Sequence, residues 1–109
     1  MELFQELQRL NCLLDKAINE LKERGRNYAT AKKEYRIKVS QELLRLRAEN
    51  IPVTIINDIV KGKKEIAEAK EKEIINEALY RSCLEAINVY KLQINIVREQ
   101  IQREYTNIK

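Results

Sequence analysis

The chain has 109 residues, 35% charged and 44% hydrophobic, with a formal net charge of +4. It has no histidine and only two cysteines, which removes the commonest general base and leaves no recognisable zinc-binding pattern. One proline, two glycines and numerous, regularly spaced aliphatic residues indicate long helices rather than a disordered chain. We therefore expect one all-α domain over residues 1–109 that is not an enzyme and uses no cofactor, metal or small-molecule substrate.

The sequence also predicts where the chain resides. No apolar run approaches the roughly 18 residues that span a bilayer, and "MELFQELQRL" lacks the basic start and continuous apolar core of a signal peptide. We expect a cytoplasmic protein with no membrane contact and with both cysteines reduced. If the chain folds back near residue 56, Cys83 lies opposite roughly residue 29 and Cys12 opposite roughly residue 100, too far apart for a disulfide.

The first predicted element is a long helical arm over residues 2–50. Its apolar residues follow heptad spacing, which buries one edge of a helix against another; they are Leu3, Leu7, Leu10, Leu14, Ala17 and Leu21, resuming at Tyr28, Ala31 and Tyr35. Gly25 interrupts this arm and can be interpreted either as a helix end or as a glycine within one helix. We favour a continuous or kinked helix, because the heptad phase survives across Gly25.

A corner over residues 51–62 follows the first arm. Pro52 predicts that the arm stops near Asn50, Thr54 is placed to cap a short helix, and Gly62 is placed to end it in the left-handed conformation. Four aliphatic residues lie on one stripe of this helix: Ile55, Ile56, Ile59 and Val60. We favour a helix that covers Leu43, Leu46 and Ile66; the alternatives are a docking surface or, less favoured, a helix-turn-helix.

The second predicted arm covers residues 63–108, and its C-terminal half repeats the heptad almost without interruption. Two arms of similar length around one corner predict a long, coiled-coil-like antiparallel helical hairpin. Ordering 109 residues costs on the order of 150 kcal/mol, and a two-helix contact buries each seam residue only partly. We therefore expect the hairpin to form a homodimer with a four-helix arrangement.

Residues 22–38 concentrate basic side chains, with Tyr28 and Tyr35 interleaved. Such a pattern can follow a nucleic-acid backbone while bases stack on the rings, although a solvated helix face is the favoured interpretation. The candidate nucleic-acid-binding residues, including a second cluster at the corner, are Arg24, Arg26, Lys32, Lys33, Arg36, Lys61, Lys63 and Lys64.

Binding to a protein is the alternative use of a long helical surface, because hot spots are enriched in aromatic and arginine side chains. The candidate partner-binding residues combine the corner aliphatics with such side chains on the second arm: Ile55, Ile56, Ile59, Tyr80, Tyr90, Arg98, Arg103 and Tyr105.

Two stretches, "RAENIPVTIINDIVKGKKEIAEAK" and "ALYRSCLEAINVYKLQINIVREQIQREY", together resemble a family of small helical proteins encoded by phages and prophages of low-GC Gram-positive bacteria. The matching positions are Pro52, Val53, Asp58, Lys61, Gly62, Leu79, Tyr80, Glu85, Ala86, Lys91, Gln100, Ile101 and Glu104. The resemblance implies a small protein that acts by binding inside an infected or lysogenic cell. We therefore predict a phage accessory protein that binds a protein partner and inhibits a host or defence complex such as a CRISPR effector; the alternative is a DNA-binding accessory of phage replication or recombination.

Overall fold

A computed structural model describes residues 2–108, which form three helices and no strand. Helix α1 spans Glu2–Ala48, α2 spans Val53–Gly62 and α3 spans Lys64–Ile108. The all-α prediction is confirmed, and each of the two long helices lies within two residues of its predicted bounds. Gly25 lies inside α1, so the interpretation of the first arm as one helix is also confirmed.

The end of α1 is a Schellman motif, in which a residue in the left-handed conformation closes the helix. Asn50 has φ 63°, and its amide donates to the Arg47 carbonyl at 3.1 Å. The Ile51 amide donates to the Leu46 carbonyl at 3.2 Å, and Ile51 packs on the cluster that contains Leu46. These bonds satisfy the last carbonyls of α1, and Pro52 follows because it cannot continue the helix.

The predicted caps of α2 were wrong at both ends. Pro52 occupies the position before the helix, no side chain caps it, and the Ile55 amide donates to the Pro52 carbonyl at 3.2 Å. Thr54 lies inside the helix, where its hydroxyl can no longer serve as an N-cap. Gly62 is the last helical residue and has a negative φ, because the extended residue Lys63 makes the turn into α3.

The described residues divide into two compact units: unit 1 comprises the residues up to Glu23 together with those from Tyr80, and unit 2 is Arg24–Leu79. In unit 1, α1 and α3 pack antiparallel, with Leu10 against Ile94 and Val97 and with Ala17 against Cys83 and Ile87. The Cys83 thiol donates to the Ala17 carbonyl at 3.3 Å, so Cys83 lies opposite Ala17 and not opposite residue 29 as predicted. The expected position was wrong because it placed the fold-back point too far along the corner.

Unit 2 contains α2 and the parts of α1 and α3 on which it packs. Its core consists of Leu46, Ile56, Val60 and Ile66, with Leu43 packed against it, so the corner helix covers the residues that the sequence predicted. Farther along α3, the buried residue Glu73 accepts a hydrogen bond from Lys70 at 3.4 Å. The Lys70 ammonium also lies 4.8 Å from the centroid of the Tyr35 ring on α1, so an aromatic face and a carboxylate hold one cation.

Candidate protein-binding surfaces

Helix α2 has more aliphatic surface than its own core uses. Of its five aliphatic residues, Ile56 and Val60 are buried, whereas Val53, Ile55 and Ile59 are 69%, 46% and 37% exposed. Ile55 and Ile59 lie four residues apart on one side of α2, and we call this pair the α2 face; Val53, roughly 120–160° away around the helix, lies on the other side of the buried pair. Because Ile56 and Val60 anchor α2 on α1 and α3, the α2 face is held on an ordered support.

The burial of Ile56 corrects one predicted site residue. At 4% exposure, Ile56 packs with Leu46, Val60 and Ile66 and cannot present its side chain to a partner. The stripe at i, i+1, i+4, i+5 is too wide for one side of a helix to be covered by the core. Its inner pair, Ile56 and Val60, is therefore structural, and its outer pair, Ile55 and Ile59, remains a candidate binding site.

A groove lies on the side of α2 that carries Val53, between α2 and the last turns of α1. Its floor includes the buried Ile56 and the half-buried Leu43, and its rim includes the exposed Leu44, 68% accessible, and Val53. The remaining lining residues are polar or basic: Ser40, Arg47 and Asn57. The groove therefore extends the apolar surface of α2 onto α1 within unit 2.

The aromatic and arginine candidates of α3 are not equivalent. Tyr90 packs in the unit 1 core, and Tyr80 is half-buried and makes a contact within the chain, so these two rings contribute to the fold. Arg98 is exposed, and Arg103 pairs with Glu99 at 3.8 Å on the surface. Tyr105 is 61% exposed, although it also has a contact within the chain. The structure thus leaves Arg98, Arg103 and Tyr105 accessible.

The basic candidates divide into paired and unpaired side chains. Arg24 makes a contact within the chain, and Lys32 lies 5.9 Å from the Tyr28 ring centroid. At the corner, Lys63 contacts Glu42 at 2.8 Å and Lys64 contacts Glu68 at 4.0 Å. Arg26, Lys33, Arg36 and Lys61 are exposed and make no ion pair with any residue between 2 and 108. The predicted basic cluster is therefore only partly available to a ligand.

Glu42 holds the corner together electrostatically. Its carboxylate accepts hydrogen bonds from Arg45 on α1, at 3.1 Å from Nε, and contacts Lys63 between α2 and α3 at 2.8 Å. These contacts, with the Arg45 hydrogen bond the larger cause, lower the pKa of Glu42 from 4.5 to about 2. The ion pairs tie the residue that joins α2 to α3 onto α1.

A second set of exposed apolar residues on the long helices was not among the predicted site residues. In unit 2 these are Ile37 and Leu44 on α1 and Ile74, Ile75 and Leu79 on α3; in unit 1 they are Phe4 and Ile18 on α1 and Leu84, Val89, Leu92 and Ile96 on α3. Val89, Leu92 and Ile96 follow the same spacing of three and four as the buried seam residues, but each lies two residues later in the sequence. Counting both heptad phases of each helix separately could have found them.

Residues 2–108 lack the features of two further kinds of functional site. That range contains no group of three or more potential metal-ligating side chains, and none of its helices has a stretch apolar enough to span a bilayer.

Comparison with known proteins gave no matching family model, no matching curated protein and no matching solved structure. The resemblance to phage-encoded helical proteins therefore stays a prediction.

Proposed function

We propose that this chain is a non-enzymatic protein that works by binding a protein partner through the α2 face. One observation carries the proposal: a helix of ten residues leaves three of its five aliphatic side chains exposed. Exposed aliphatic clusters on ordered elements are typical of interaction sites, because their burial in a partner is favourable. Ile55 and Ile59 are four apart and share one side of α2, which is the anchor spacing of a helix that inserts into a partner's groove.

The narrower form of this proposal takes its context from the resemblance. It makes the chain a phage accessory protein in the cytoplasm of an infected or lysogenic bacterium, where it inhibits a host or defence complex such as a CRISPR effector. A rigid helical surface without an active site can inhibit by occupying part of its target, and a net charge of +4 fits steric blocking better than mimicry of a nucleic acid.

The test of partner binding is a pair of double variants on purified protein. Ile55→Glu with Ile59→Glu replaces the apolar side chains of the α2 face by carboxylates. Leu92→Glu with Ile96→Glu makes the same chemical change on exposed residues of unit 1. A partner captured from an infected host is purified, and its affinity for each variant is measured by calorimetry. Loss of at least about tenfold in affinity for the α2 variant alone supports the proposal. Equal affinity of the two variants contradicts it.

A second candidate function, nucleic-acid binding, is favoured by one observation. Arg26, Lys33 and Arg36 are exposed and make no ion pair within residues 2–108, so their charges are open to phosphates. Fluorescence anisotropy with single- and double-stranded oligonucleotides tests it: submicromolar affinity that falls steeply with salt and is lost in Arg26→Ala with Lys33→Ala supports this candidate. No binding at low salt removes it.

We also propose that the chain associates with itself, with a dimer of four long helices as the smallest assembly. The exposed aliphatic residues on α1 and α3 support this proposal, since a helix that is apolar on two sides usually has two neighbours.

A further inference from the structure

The side of α1 that faces away from the unit 2 core carries a basic stripe, defined as Arg26, Lys33, Ile37, Leu44 and Arg47. Their spacings of seven, four, seven and three place them on one side of the helix. Ile37 is 47% and Leu44 is 68% exposed. None of the three basic members forms an ion pair within the described part of the chain, and the nearby acids Glu34 and Glu42 instead bond Lys72 and Arg45.

The side of α3 that faces away from the same core carries an acidic stripe, defined as Glu68, Glu71, Ile75 and Ala78. Spacings of three, four and three place these residues opposite the buried Ile66, Ala69 and Glu73. Ile75 is 50% exposed. Lys64 lies four residues before Glu68 on the same side of α3 and contacts it at 4.0 Å, so with Glu68 and Glu71 this side keeps a net negative charge. Both stripes therefore have helical spacing and exposed aliphatic residues, but they carry opposite charge.

We infer that the basic stripe of one copy packs against the acidic stripe of a second copy. An occupant of the basic stripe needs aliphatic side chains to cover Ile37 and Leu44 and carboxylates to meet the three cations. The acidic stripe of this same chain has both, so charge complementarity selects a second copy. The inference rests on the proposed self-association and names its surfaces.

Because the two stripes lie on opposite sides of the unit 2 core, the contact is head-to-tail, and it leaves one stripe free on each copy for further copies.

Charge reversal on each stripe tests the contact by sedimentation velocity of the full chain. Lys33→Glu with Arg47→Glu makes both stripes acidic, and Glu68→Lys with Glu71→Lys makes both basic. Each variant alone is expected to associate at least about tenfold more weakly than the wild type, because like charges then face each other. An equimolar mixture of the two is expected to associate again, since each variant supplies the stripe that the other needs. Lys38→Glu with Lys61→Glu, which reverses the same number of charges on exposed residues of unit 2 outside both stripes, is the matched control.

The outcomes distinguish self-association in general from the specific contact between the two stripes. A wild-type chain that stays monomeric at tens of micromolar contradicts self-association and with it this contact. Wild-type assemblies that both reversed variants form equally well leave self-association standing and overturn the stripes. Circular dichroism of every variant shows whether the helices are kept, and recovery in the mixture cannot arise from misfolded chains.

Discussion

Asn50 is the residue on which the end of α1 depends. Its φ of 63° lies in the left-handed region, which costs a residue with a Cβ roughly 1–2 kcal/mol and which asparagine and glycine tolerate best. We expect Asn50→Ala to lower the free energy of unfolding by about 1 kcal/mol and Asn50→Gly to change it by only a few tenths. Urea unfolding followed by circular dichroism measures both values. Equal losses in the two variants would contradict a role for backbone conformation.

Lys70 is the counterion of the only buried charged residue in the described range, Glu73. Lys70→Ala leaves that carboxylate without its cation and removes the contact with the Tyr35 ring. We expect a loss of about 1–3 kcal/mol in stability. Lys72→Ala is the control, because the exposed pair of Lys72 with Glu34 is worth less than about 1 kcal/mol. If the free energy of unfolding falls by the same small amount in both variants, the Lys70–Glu73 pair stabilises the fold no more than an exposed ion pair does.

The residues that cap the helices were the least predictable part of the fold. Thr54, Gly62 and Asn50 are all residue types that favour helix ends, and each lies near a predicted boundary. Only Asn50 occupies a cap position, because Pro52 sets the start of α2 two residues earlier than predicted and Lys63 makes the following turn. Propensity therefore identified the boundary region, whereas backbone geometry decided which residue closes each helix.

Among the elements, α2 divides its aliphatic residues between core and surface. Ile56 is 4% exposed and Ile55 is 46% exposed, although they are neighbours in the sequence. We expect Ile56→Ala to cost about 2–4 kcal/mol, because it leaves a cavity between α1, α2 and α3. Ile55→Ala, the matched change, should cost less than about 1 kcal/mol. Thermal and urea unfolding give both values, and a reversed order would mean that α2 packs through its other side.

The contact of Glu42 with Arg45 and Lys63 makes the corner sensitive to acid. The folded-state pKa of Glu42 is about 2, below its ordinary value of 4.5. A lowered pKa stabilises the folded state above pH 4.5, and this stabilisation is lost as the pH falls from 4.5 towards 2. Melting temperatures between these limits should therefore decrease more steeply for the wild type than for Glu42→Gln. Parallel curves for the two proteins would show that Glu42 does not link the corner to proton binding.

At the scale of elements, the sequence predicted most of the structure. The heptad spacing of Leu3 to Leu21 and of Tyr80 to Ile101 located both long helices, because that period reports directly which side is buried. The exposed aliphatics Ile37, Leu44 and Ile75 were not predicted as a binding site, since the heptad pattern was used chiefly to assign residues to the buried seam. A sequence can show apolar residues on two sides of a helix, but only the structure shows which of the two sides is buried within the chain.

For the whole molecule, the sequence could not predict the division into two compact units. Both α1 and α3 run through the two units. Gly25 lies at the boundary near Arg24, but α1 continues through it, so this interruption of the heptad pattern did not predict a division. The sequence could not identify the binding surface for a related reason. Binding surfaces of helical proteins are defined by what the fold leaves exposed, and the α2 face became distinguishable from the core only when Ile55 and Ile56 were found on opposite sides of that boundary.

The two thiols give the molecule a built-in kinetic reporter. Cys12 is exposed and should react at once with an aromatic disulfide reagent, whereas Cys83 is buried and should react only when unit 1 opens. Two well-separated phases of equal amplitude are expected, and the ratio of their rates measures the free energy of that opening. Leu10→Ala, in the core of unit 1, should accelerate the slow phase, whereas Val60→Ala, in unit 2, should change it much less if the units open independently. The two natural cysteines therefore report, without an added label, how much a destabilising substitution in one unit changes the opening of the other.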